Sequence, residues 1–367
     1  MTILLITKNY PPSKGGMSVS CDRLVRNLRN NAIEVHVIHF TNRRKKFDTI
    51  SMVNGTYTAI PIQNSEEFTL SLASEFIMQL PFLSKITHIG AFGGTLPINL
   101  GPILAKWTSK KLITFIRGND FDEGIFSKRR DHLLYALENS DYVFSVTGEK
   151  AAKIDRLVTH NNSYFTPNGI NTSLWKASSS HFNKIQELQN SFQKKIPIAI
   201  IGQLKEKKGI LNFTETFSKF PYKDDYIICM IGDVSSETQQ LLTDLDVNIA
   251  FYPFANQNEL LVFYHAVNIV AIPSFYDGMP NVLLEAGATK NLVLGSNIGG
   301  IKDVITDNLD GFLYNPLQPL TLLDVLLKMH RMSEDEKNKV SNSLYEKIQT
   351  VYTEEKEILN YLNILQS

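Results

Sequence analysis

The sequence has few cysteines, no excess charge of either sign and no long apolar run. Its two cysteines, Cys21 and Cys229, lie far apart in 367 residues, which argues against a disulfide framework or a cysteine metal site. Lysine plus arginine equals aspartate plus glutamate at 37 each, whereas a protein that binds nucleic acid normally has a basic excess. No apolar run approaches the ~20 residues that a transmembrane helix needs.

The start of the chain also lacks the features of a secretory signal. The strand-like run ILLI follows directly after Met1 and Thr2, without a basic start or a small-residue cleavage site. No G-x-G-x-x-G follows this first predicted strand, which argues against a dinucleotide-dependent dehydrogenase. We therefore expect a cytoplasmic protein, and attachment to the inner face of a membrane stays open.

What the sequence does contain is an alternation of short apolar runs and amphipathic helical segments. With 367 residues, 43% of them hydrophobic, the chain is long enough for two domains with proper cores. The alternation predicts an α/β fold with parallel, doubly wound sheets. The predicted strands are 2–7, 34–40, 57–62, 86–92, 112–117, 142–147, 164–167, 197–204, 226–232, 248–252, 267–272, 292–296 and 311–314.

The stretch 267–285, VNIVAIPSFYDGMPNVLLE, predicts a buried strand, a glycine-containing turn and a helix that Asn281 caps. This geometry directs free backbone N–H groups and the positive end of a helix dipole at an anion. Asp277 in the loop and Glu285 in the helix are carboxylates, which accept hydrogen bonds from hydroxyls but do not attract an anion. Phosphate and hydroxyls side by side indicate a nucleotide sugar.

The segment PSFYDGMPNVLLEAGA resembles the donor-site signature of family 4 glycosyltransferases, which are retaining enzymes of the GT-B fold. That signature usually reads P-S-x-x-E-G-x-P-x-x-x-L-E-A-x-A, and Asp277 stands where the family usually has Glu. The matching residues are Pro273, Ser274, Gly278, Pro280, Leu284, Glu285, Ala286 and Ala288. Further segments agree in order: PPSKGG at 11–16, RGND at 117–120, PNGIN at 167–171, GQLKEKKG at 202–209, NIGG at 297–300 and DGF at 310–312.

Two of these segments depart from the family pattern. Gln203 replaces the usual Arg, which keeps a hydrogen-bond donor but loses the charge. Either Lys205 or Lys207 compensates, or Lys208 and the helix dipole hold most of the donor diphosphate. Asn171 replaces the usual Asp of the segment that ends the first domain.

The resemblance implies two Rossmann-like domains facing across a cleft, with a C-terminal helix that crosses back to the first domain. The expected domains are an acceptor-side domain over 1–170, a nucleotide-sugar-binding domain over 171–350, and the crossing helix over 351–367. The implied reaction is transfer of a sugar, with retention, from a nucleotide diphosphate sugar to an acceptor hydroxyl. Cofactor and metal are expected to be absent, and the expected acceptor is a glycan or lipid-linked glycan in envelope polysaccharide synthesis.

The resemblance also assigns residues. Lys208 neutralises the donor diphosphate, Glu285 holds the ribose hydroxyls, and Asp277 faces the hydroxyls of the donor sugar, so these three form the expected catalytic set. The expected donor-binding residues are Gly15, Gly16, Gln203, Lys208, Gly278, Met279, Pro280, Asn281, Glu285 and Gly299. The expected acceptor-side residues are Arg117, Asp120 and His88.

Several of these residues have a structural alternative. Gly15-Gly16 is also a simple turn, Arg117 is as well suited to an ion pair with Asp120 or Asp122, and His88 alone is typical of a structural histidine. Asp120-Phe121-Asp122 spells D-x-D, the metal motif of the GT-A fold, but two acids at this spacing arise easily by chance. The basic run 43–46 is either a solvated loop or a contact with anionic lipid or a lipid-diphosphate acceptor.

Two other functions stay open. Gln203 and Asp277 leave room for a non-catalytic GT-B protein that partners an active enzyme. A GT-B enzyme that epimerises or hydrolyses a nucleotide sugar without an acceptor is the second.

Overall fold

The structure, a computed structural model, describes residues 1–13 and 15–366, with Asn119 described by its backbone alone. The chain divides into two compact units. The first unit comprises Met1–Pro167 together with Glu357–Ser367, and the second comprises Asn168–Lys356.

The first unit is built on an eight-stranded sheet. Its strands are β1 (Thr2–Thr7), β2 (Glu34–Thr41), β3 (Asp48–Met52), β4 (Gly55–Pro61), β5 (His88–Phe92), β6 (Lys111–Ile116), β7 (Tyr142–Ser145) and β8 (Ser163–Phe165). Their order is β3-β4-β2-β1-β5-β6-β7-β8, and all neighbours pair in parallel except β3 with β4. The helices between them are α1 (Gly16–Asn30), α2 (Glu66–Met78), α3 (Thr95–Thr108), α4 (Asn119–Asp122), α5 (Arg130–Glu138) and α6 (Gly148–Asp155).

Strand β1 shows why this sheet is covered on both faces. Its apolar run is almost completely buried, and alternate residues point to opposite sides. Ile3 and Leu5 pack in one cluster with Leu24 of α1. Leu4 and Ile6 pack in the other, which includes residues of α2 and α3. A helix layer on each face follows from this continuous apolar pattern.

The second unit is built on a six-stranded parallel sheet. Its strands are β9 (Ile196–Ile201), β10 (Tyr226–Ile231), β11 (Ile249–Tyr252), β12 (Ile269–Ile272), β13 (Leu292–Ser296) and β14 (Phe312–Tyr314). They run in the order β11-β10-β9-β12-β13-β14. Its helices are α7 (Ser179–Ser191), α8 (Ile210–Phe217), α9 (Ser236–Thr243), α10 (Gln257–Ala266), α11 (Asn281–Ala288), α12 (Gly299–Val304), α13 (Leu320–Arg331) and α14 (Glu334–Val351). A last helix, α15 (Glu354–Leu365), begins at the end of this unit and continues into the first.

Each sheet has one point where the strand order reverses. In the first unit it lies between β1 and β5, and in the second between β9 and β12. Connections on the two sides of such a point diverge, which opens a crevice at the carboxyl ends of the strands where ligands bind in open α/β sheets. The loops that follow these four strands are therefore the ones in which to look for a site.

The predicted α/β fold with parallel sheets is confirmed, but one strand was missed and one helix cap was predicted wrongly. The antiparallel edge strand β3 was not predicted, because its five residues DTISM include only two apolar ones, Ile50 and Met52, and both are exposed. Asn281 does not cap α11: the helix begins at Asn281 itself, and the extended residue before it is Pro280. Proline suits the position before a helix because its missing N–H has no partner to lose there.

The segment that leaves the first unit and the segment that returns to it pair with each other inside the second unit. Ile170 donates its N–H to the Tyr352 carbonyl at 2.8 Å, and Ile170 and Thr353 form a parallel bridge. A Cβ on Gly169 would lie 2.2 Å from the Thr353 oxygen. The glycine of PNGIN is therefore needed for close approach of two backbones.

Helix α15 is joined to the first unit by buried polar contacts. The Glu357 carboxylate accepts hydrogen bonds from Arg23 Nε at 2.6 Å and Arg23 Nη2 at 3.3 Å. Farther along the helix, the Tyr361 hydroxyl accepts one from Arg117 Nη1 at 3.0 Å. All four side chains are buried. Removing one partner of a buried pair leaves the other charge without compensation, so this contact is costly to break.

We predict that Glu357→Ala lowers the free energy of unfolding by about 3 kcal/mol or more, because Arg23 then stays buried without its counter-charge. Urea unfolding followed by circular dichroism measures the change. Glu355→Ala, an exposed position on the same helix, is the matched control and should change stability by less than about 0.5 kcal/mol. Equal losses in the two variants would contradict the assignment.

Gly209 gives a second test, of the loop between β9 and α8. Its φ is +63°, and a Cβ there would lie 2.2 Å from the Pro273 carbonyl oxygen. Gly202 in the same loop also has positive φ (+126°), but no atom lies within 4 Å of the corresponding Cβ. We predict that Gly209→Ala destabilises the protein by at least about 2 kcal/mol more than Gly202→Ala, because only the first adds a backbone clash to the strain. Melting temperatures that fall equally would contradict this packing.

Candidate functional site

The loops that follow β9 and β12 bring Lys208 and Asp277 together. Lys208 Nζ donates a hydrogen bond to Asp277 Oδ2, and each side chain is about one-fifth exposed (22% and 21%). Asp277 Oδ1 also accepts the N–H of Gly278 at 2.9 Å, and Oδ2 lies 3.4 Å from the buried Ser274 hydroxyl. An ion pair therefore stands at the reversal point of the second sheet, in partial contact with solvent.

Backbone contacts fix this pair by joining three loops. Phe275 donates its N–H to the Lys207 carbonyl at 3.0 Å, and Gly300 donates its N–H to the Gly278 carbonyl at 2.9 Å. A Cβ on Gly299 would lie 2.4 Å from the Asp277 carbonyl oxygen, so glycine is required where the loop after β13 meets the loop after β12. The structure thus places the predicted residues Lys208, Asp277, Gly278 and Gly299 beside one another.

Glu285 lies in α11 and is held by a tyrosine from α10. The Tyr264 hydroxyl donates to Glu285 Oε2 at 2.6 Å. Burial, and then the neighbouring Glu285 charge, raise the pKa of Tyr264 well above its usual range, so this hydroxyl stays a donor. Trp175 packs edge-to-face on the Tyr264 ring at 5.3 Å. Sequence reasoning missed Tyr264, because it lies in no motif and 21 positions before its partner.

Asn168 is a second residue that sequence reasoning did not assign to the site. Its buried side-chain amide donates to the Met279 carbonyl at 2.9 Å and lies 3.5 Å from Asn281 Oδ1. The Met279 side chain is buried, and this residue contacts Asn168 through its backbone carbonyl. Asn168 belongs to PNGIN, and that motif is the signal that could have found it. The amide therefore supports the turn that carries Met279, Pro280 and Asn281.

The two departures from the family pattern have different consequences. Asn171 accepts the Ser173 N–H at 3.1 Å and caps a short turn of helix, which an aspartate would do in the same way. Gln203 is exposed, as is Lys205, while the Lys207 ammonium lies over the Tyr276 ring at 5.7 Å. Lys208 is thus the residue of this loop whose ammonium meets Asp277.

In the first unit, the loop after β1 ends at Gly15, whose φ is +113°, and α1 begins at Gly16. The loop is anchored by Tyr10, which stacks on Tyr57 with ring centroids 5.6 Å apart. The Tyr57 hydroxyl lies 2.8 Å from Nδ1 of the fully buried His39, and burial lowers the pKa of His39 to about 4. His39 is therefore neutral near pH 7, and this aromatic cluster was also missed by sequence reasoning.

Asp120 joins the loops that follow β5 and β6. Its carboxylate accepts the Arg117 N–H at 2.8 Å and the Gly94 N–H at 3.2 Å. Burial raises the pKa of Asp120, and the two N–H groups oppose this rise. Asp122 instead pairs with the buried Lys150 at 3.0 Å. The two acids of the D-x-D motif thus have separate partners. Within residues 1–13 and 15–366, no cluster of three or more His, Cys, Asp or Glu is placed to hold a metal ion.

Arg117 points into the first unit. Its guanidinium is buried, donates to Tyr361 and to the Ser20 hydroxyl, and lies 5.2 Å from the Phe92 ring centroid. A contact with an acceptor would require the side chain to leave these partners, so the residue's acceptor-side role stays a prediction.

The prediction for His88 is corrected by the structure. Residues 88–92 form β5, so His88 lies at the amino end of that strand, paired with Ile3, and the loop begins only at Gly93. Its Nδ1 lies 2.8 Å from Thr87 Oγ1, and burial lowers its pKa. Parallel strands have all their carboxyl ends at one edge, and His88 is at the other. It is a structural histidine.

Membrane-spanning segments were also sought. None of the helices in the part of the chain that the structure describes is both long and apolar enough to cross a bilayer.

Known proteins resemble this chain in sequence and in fold. Residues 182–346 match the family model of the glycosyl transferases group 1. An uncharacterized glycosyltransferase of Methanocaldococcus jannaschii is 24% identical over 380 residues, covering 95% of this chain and 94% of its own. The alpha-maltose-1-phosphate synthase of Mycolicibacterium smegmatis is 22% identical over 348 residues, covering 85% and 84%.

Among solved structures, that of Anabaena HepE in complex with UDP superimposes with a TM-score of 0.81 at 14% identity. It covers 100% of this chain and 99% of HepE. HepE has also been solved in complex with UDP-glucose. The match to the glycosyl transferases group 1 model thus falls within the second unit of a chain that has the GT-B fold.

Proposed function

We propose that the protein is a glycosyltransferase that moves a sugar from a nucleotide diphosphate sugar to an acceptor hydroxyl. The observation that carries this proposal is the pairing of Lys208 with Asp277 at the β9/β12 reversal point, beside the start of α11. A cation, backbone N–H groups and a carboxylate within one crevice suit a ligand that joins a diphosphate to a polyol. The group 1 domain over residues 182–346 supports the same reaction class.

In this proposal the donor is a UDP-sugar, a choice that the HepE complexes with UDP and UDP-glucose support. Lys208 and the backbone N–H groups of 278–281 hold the diphosphate. Glu285 accepts hydrogen bonds from the ribose hydroxyls, with its carboxylate oriented by Tyr264. On binding, Lys208 exchanges Asp277 for phosphate oxygens, which leaves the Asp277 carboxylate to accept from hydroxyls of the donor sugar.

The proposed step breaks the bond between the sugar's anomeric carbon and the diphosphate oxygen and forms a bond to the acceptor oxygen. The acceptor's proton passes to the departing phosphate, and attack on the face that the diphosphate leaves gives retention. Negative charge develops on the diphosphate, so Lys208 and the turn after Asp277 stabilise the transition state more than the ground state. No cofactor and no bound metal take part in this proposal.

The acceptor in this proposal is a glycan or lipid-linked glycan, as in envelope polysaccharide synthesis. The first-unit loops at Gly15–Gly16 and Gly93–Gly94 have the positive-φ glycines that allow a ligand to approach the backbone closely. Asp120 holds the second of these loops through Gly94, which gives it a positioning role there.

The first experiment is a thermal-shift and turnover screen against UDP-, GDP-, ADP- and CMP-sugars, with and without EDTA. We expect a UDP-sugar to raise the melting temperature and to be hydrolysed slowly, with no effect of EDTA. The anomeric configuration of a transfer product, determined by NMR, tests retention. A chain that responds to none of the four donors would contradict the proposal.

The second experiment removes the two residues that hold the donor. We expect Lys208→Ala and Glu285→Ala each to lower kcat/KM at least tenfold, a loss of about 1.4 kcal/mol of transition-state stabilisation. Lys219→Ala and Glu215→Ala, exposed positions in and just after α8, are matched controls that should keep the wild-type rate. Near-wild-type rates for Lys208→Ala and Glu285→Ala, with circular dichroism unchanged, would mean that the donor binds elsewhere.

A further inference from the structure

Two basic loops lie at the carboxyl edge of the first unit's sheet. One is Arg43–Lys46, which follows β2, and the other is Phe126–Arg130, which leads from β6 into α5. We call these two loops the basic edge. Their basic residues are Arg43, Arg44, Lys45, Lys46, Lys128, Arg129 and Arg130. Seven positive charges in two short segments are a local excess in a chain whose formal net charge is zero.

These side chains project into solvent. All seven basic residues are exposed, and Phe126 is 91% exposed, beside Lys128, Arg129 and Arg130. Arg44 Nη2 lies 3.6 Å from Asp48 Oδ2, in an ion pair whose two side chains are 61% and 43% exposed. In the described parts of the chain, Lys128, Arg129 and Arg130 have no ion-pair partner. These charges and the apolar Phe126 side chain are therefore accessible for contact with another molecule.

The placement of these basic residues also lowers the stability of the fold. Arg129 is the N-cap of α5 and Arg130 its first residue, where the positive end of the helix dipole repels a cation. Asp131 offsets part of this repulsion in the same turn. In the other loop, four successive like charges repel one another. Residues that break a local rule without a gain in the fold indicate a functional role.

The strand order shows where the basic edge lies. Strands β2, β1, β5 and β6 are consecutive neighbours, so the two basic loops flank the loops that follow β1 and β5. Three strand spacings place β2 and β6 on the order of 14 Å apart. Glu66 and Glu67, at the start of α2, are acidic residues on the same edge, so the positive charge is concentrated in the two loops and does not cover the whole edge.

We propose that the basic edge docks on an anionic lipid surface. The aromatic ring of Phe126 enters the interface between headgroups and acyl chains, while the adjacent cations contact lipid phosphates, which is the division that amphipathic residues adopt at membranes. Each Lys or Arg near such a surface strengthens attachment by a factor of roughly five. Docking through this edge turns the crevice between β1 and β5 toward the lipid. The proposal does not rest on the glycosyltransferase function, because it concerns attachment alone.

Sedimentation of the full chain with sucrose-loaded vesicles tests this proposal. We expect binding to phosphatidylcholine vesicles that contain one-quarter phosphatidylglycerol, little binding to pure phosphatidylcholine, and loss of binding in 0.5 M NaCl. Replacing Lys128, Arg129 and Arg130 by Ser should weaken binding at least tenfold, and so should replacing Arg43, Lys45 and Lys46. Phe126→Ser should weaken it severalfold and leave the salt dependence unchanged.

Matched controls use exposed residues of the second unit. Replacing Lys184, Lys219 and Lys339 by Ser removes the same charge, and Phe182→Ser removes an aromatic side chain that is 58% exposed. Both controls should bind like the wild type. Equal binding to neutral and anionic vesicles, an equal loss in the controls, or a basic edge that instead mediates self-association in light scattering would overturn the proposal. Competition of vesicle binding by millimolar inorganic phosphate would also overturn it, because that outcome assigns the edge to a free anion.

Discussion

The candidate site is centred on one ion pair, Lys208 with Asp277, which backbone contacts of the surrounding loops hold in place. Both side chains are about one-fifth exposed, and ion pairs in contact with water contribute little to stability. The pair therefore contributes little to holding the loops together. Backbone contacts hold the loops together. Gly209 packs against Pro273, and Gly299 packs against Asp277, at distances that leave no room for a Cβ. Backbone contacts thus hold the loops while the two charged side chains keep partial contact with solvent, which is what exchange with a charged ligand requires.

The buried polar contacts of the molecule have the opposite character. Arg23 with Glu357 and Asn168 with Met279 are almost completely removed from water, so losing one partner leaves a group that solvent cannot satisfy. Each lies near a place where the chain passes between units: Asn168 directly after the first passage, and Glu357 directly after the second. The buried contacts therefore stabilise the chain near the points where it passes between units, whereas the weaker, partly exposed ion pair lies in the candidate site.

The sequence was sufficient for the features that local patterns encode. Apolar runs predicted the parallel strands to within one or two residues at most of their ends, and strand–glycine–helix patterns located the loops that contain Lys208, Asp277 and Gly299. The features it could not predict depend on distant partners. Tyr264 reaches Glu285 from another helix, and Glu357 reaches Arg23 across 334 positions. His88 was assigned to the acceptor side although the predicted strand 86–92 already contained it, because the sequence does not show that it begins this strand, at the edge opposite the loops.

Of the three departures from the family pattern, Gln203 and Asp277 both bear on the charge around Lys208. In the proposed donor site, an arginine at position 203 would add a second cation beside the diphosphate, and without it Lys208 would carry that part of the charge in the loop after β9. Asp277, shorter by one methylene than the usual glutamate, keeps its carboxylate against its own turn, where it accepts the Gly278 N–H and holds the Lys208 ammonium. The loss of the arginine charge at position 203 is thus accompanied by an Asp277 carboxylate that stays close to the Lys208 ammonium. In the proposed reaction, Lys208 is already oriented by Asp277 before a donor binds but must give up that partner to bind the donor. Donor affinity and the strength of the Lys208–Asp277 pair should therefore oppose each other, because the same ammonium cannot fully serve both.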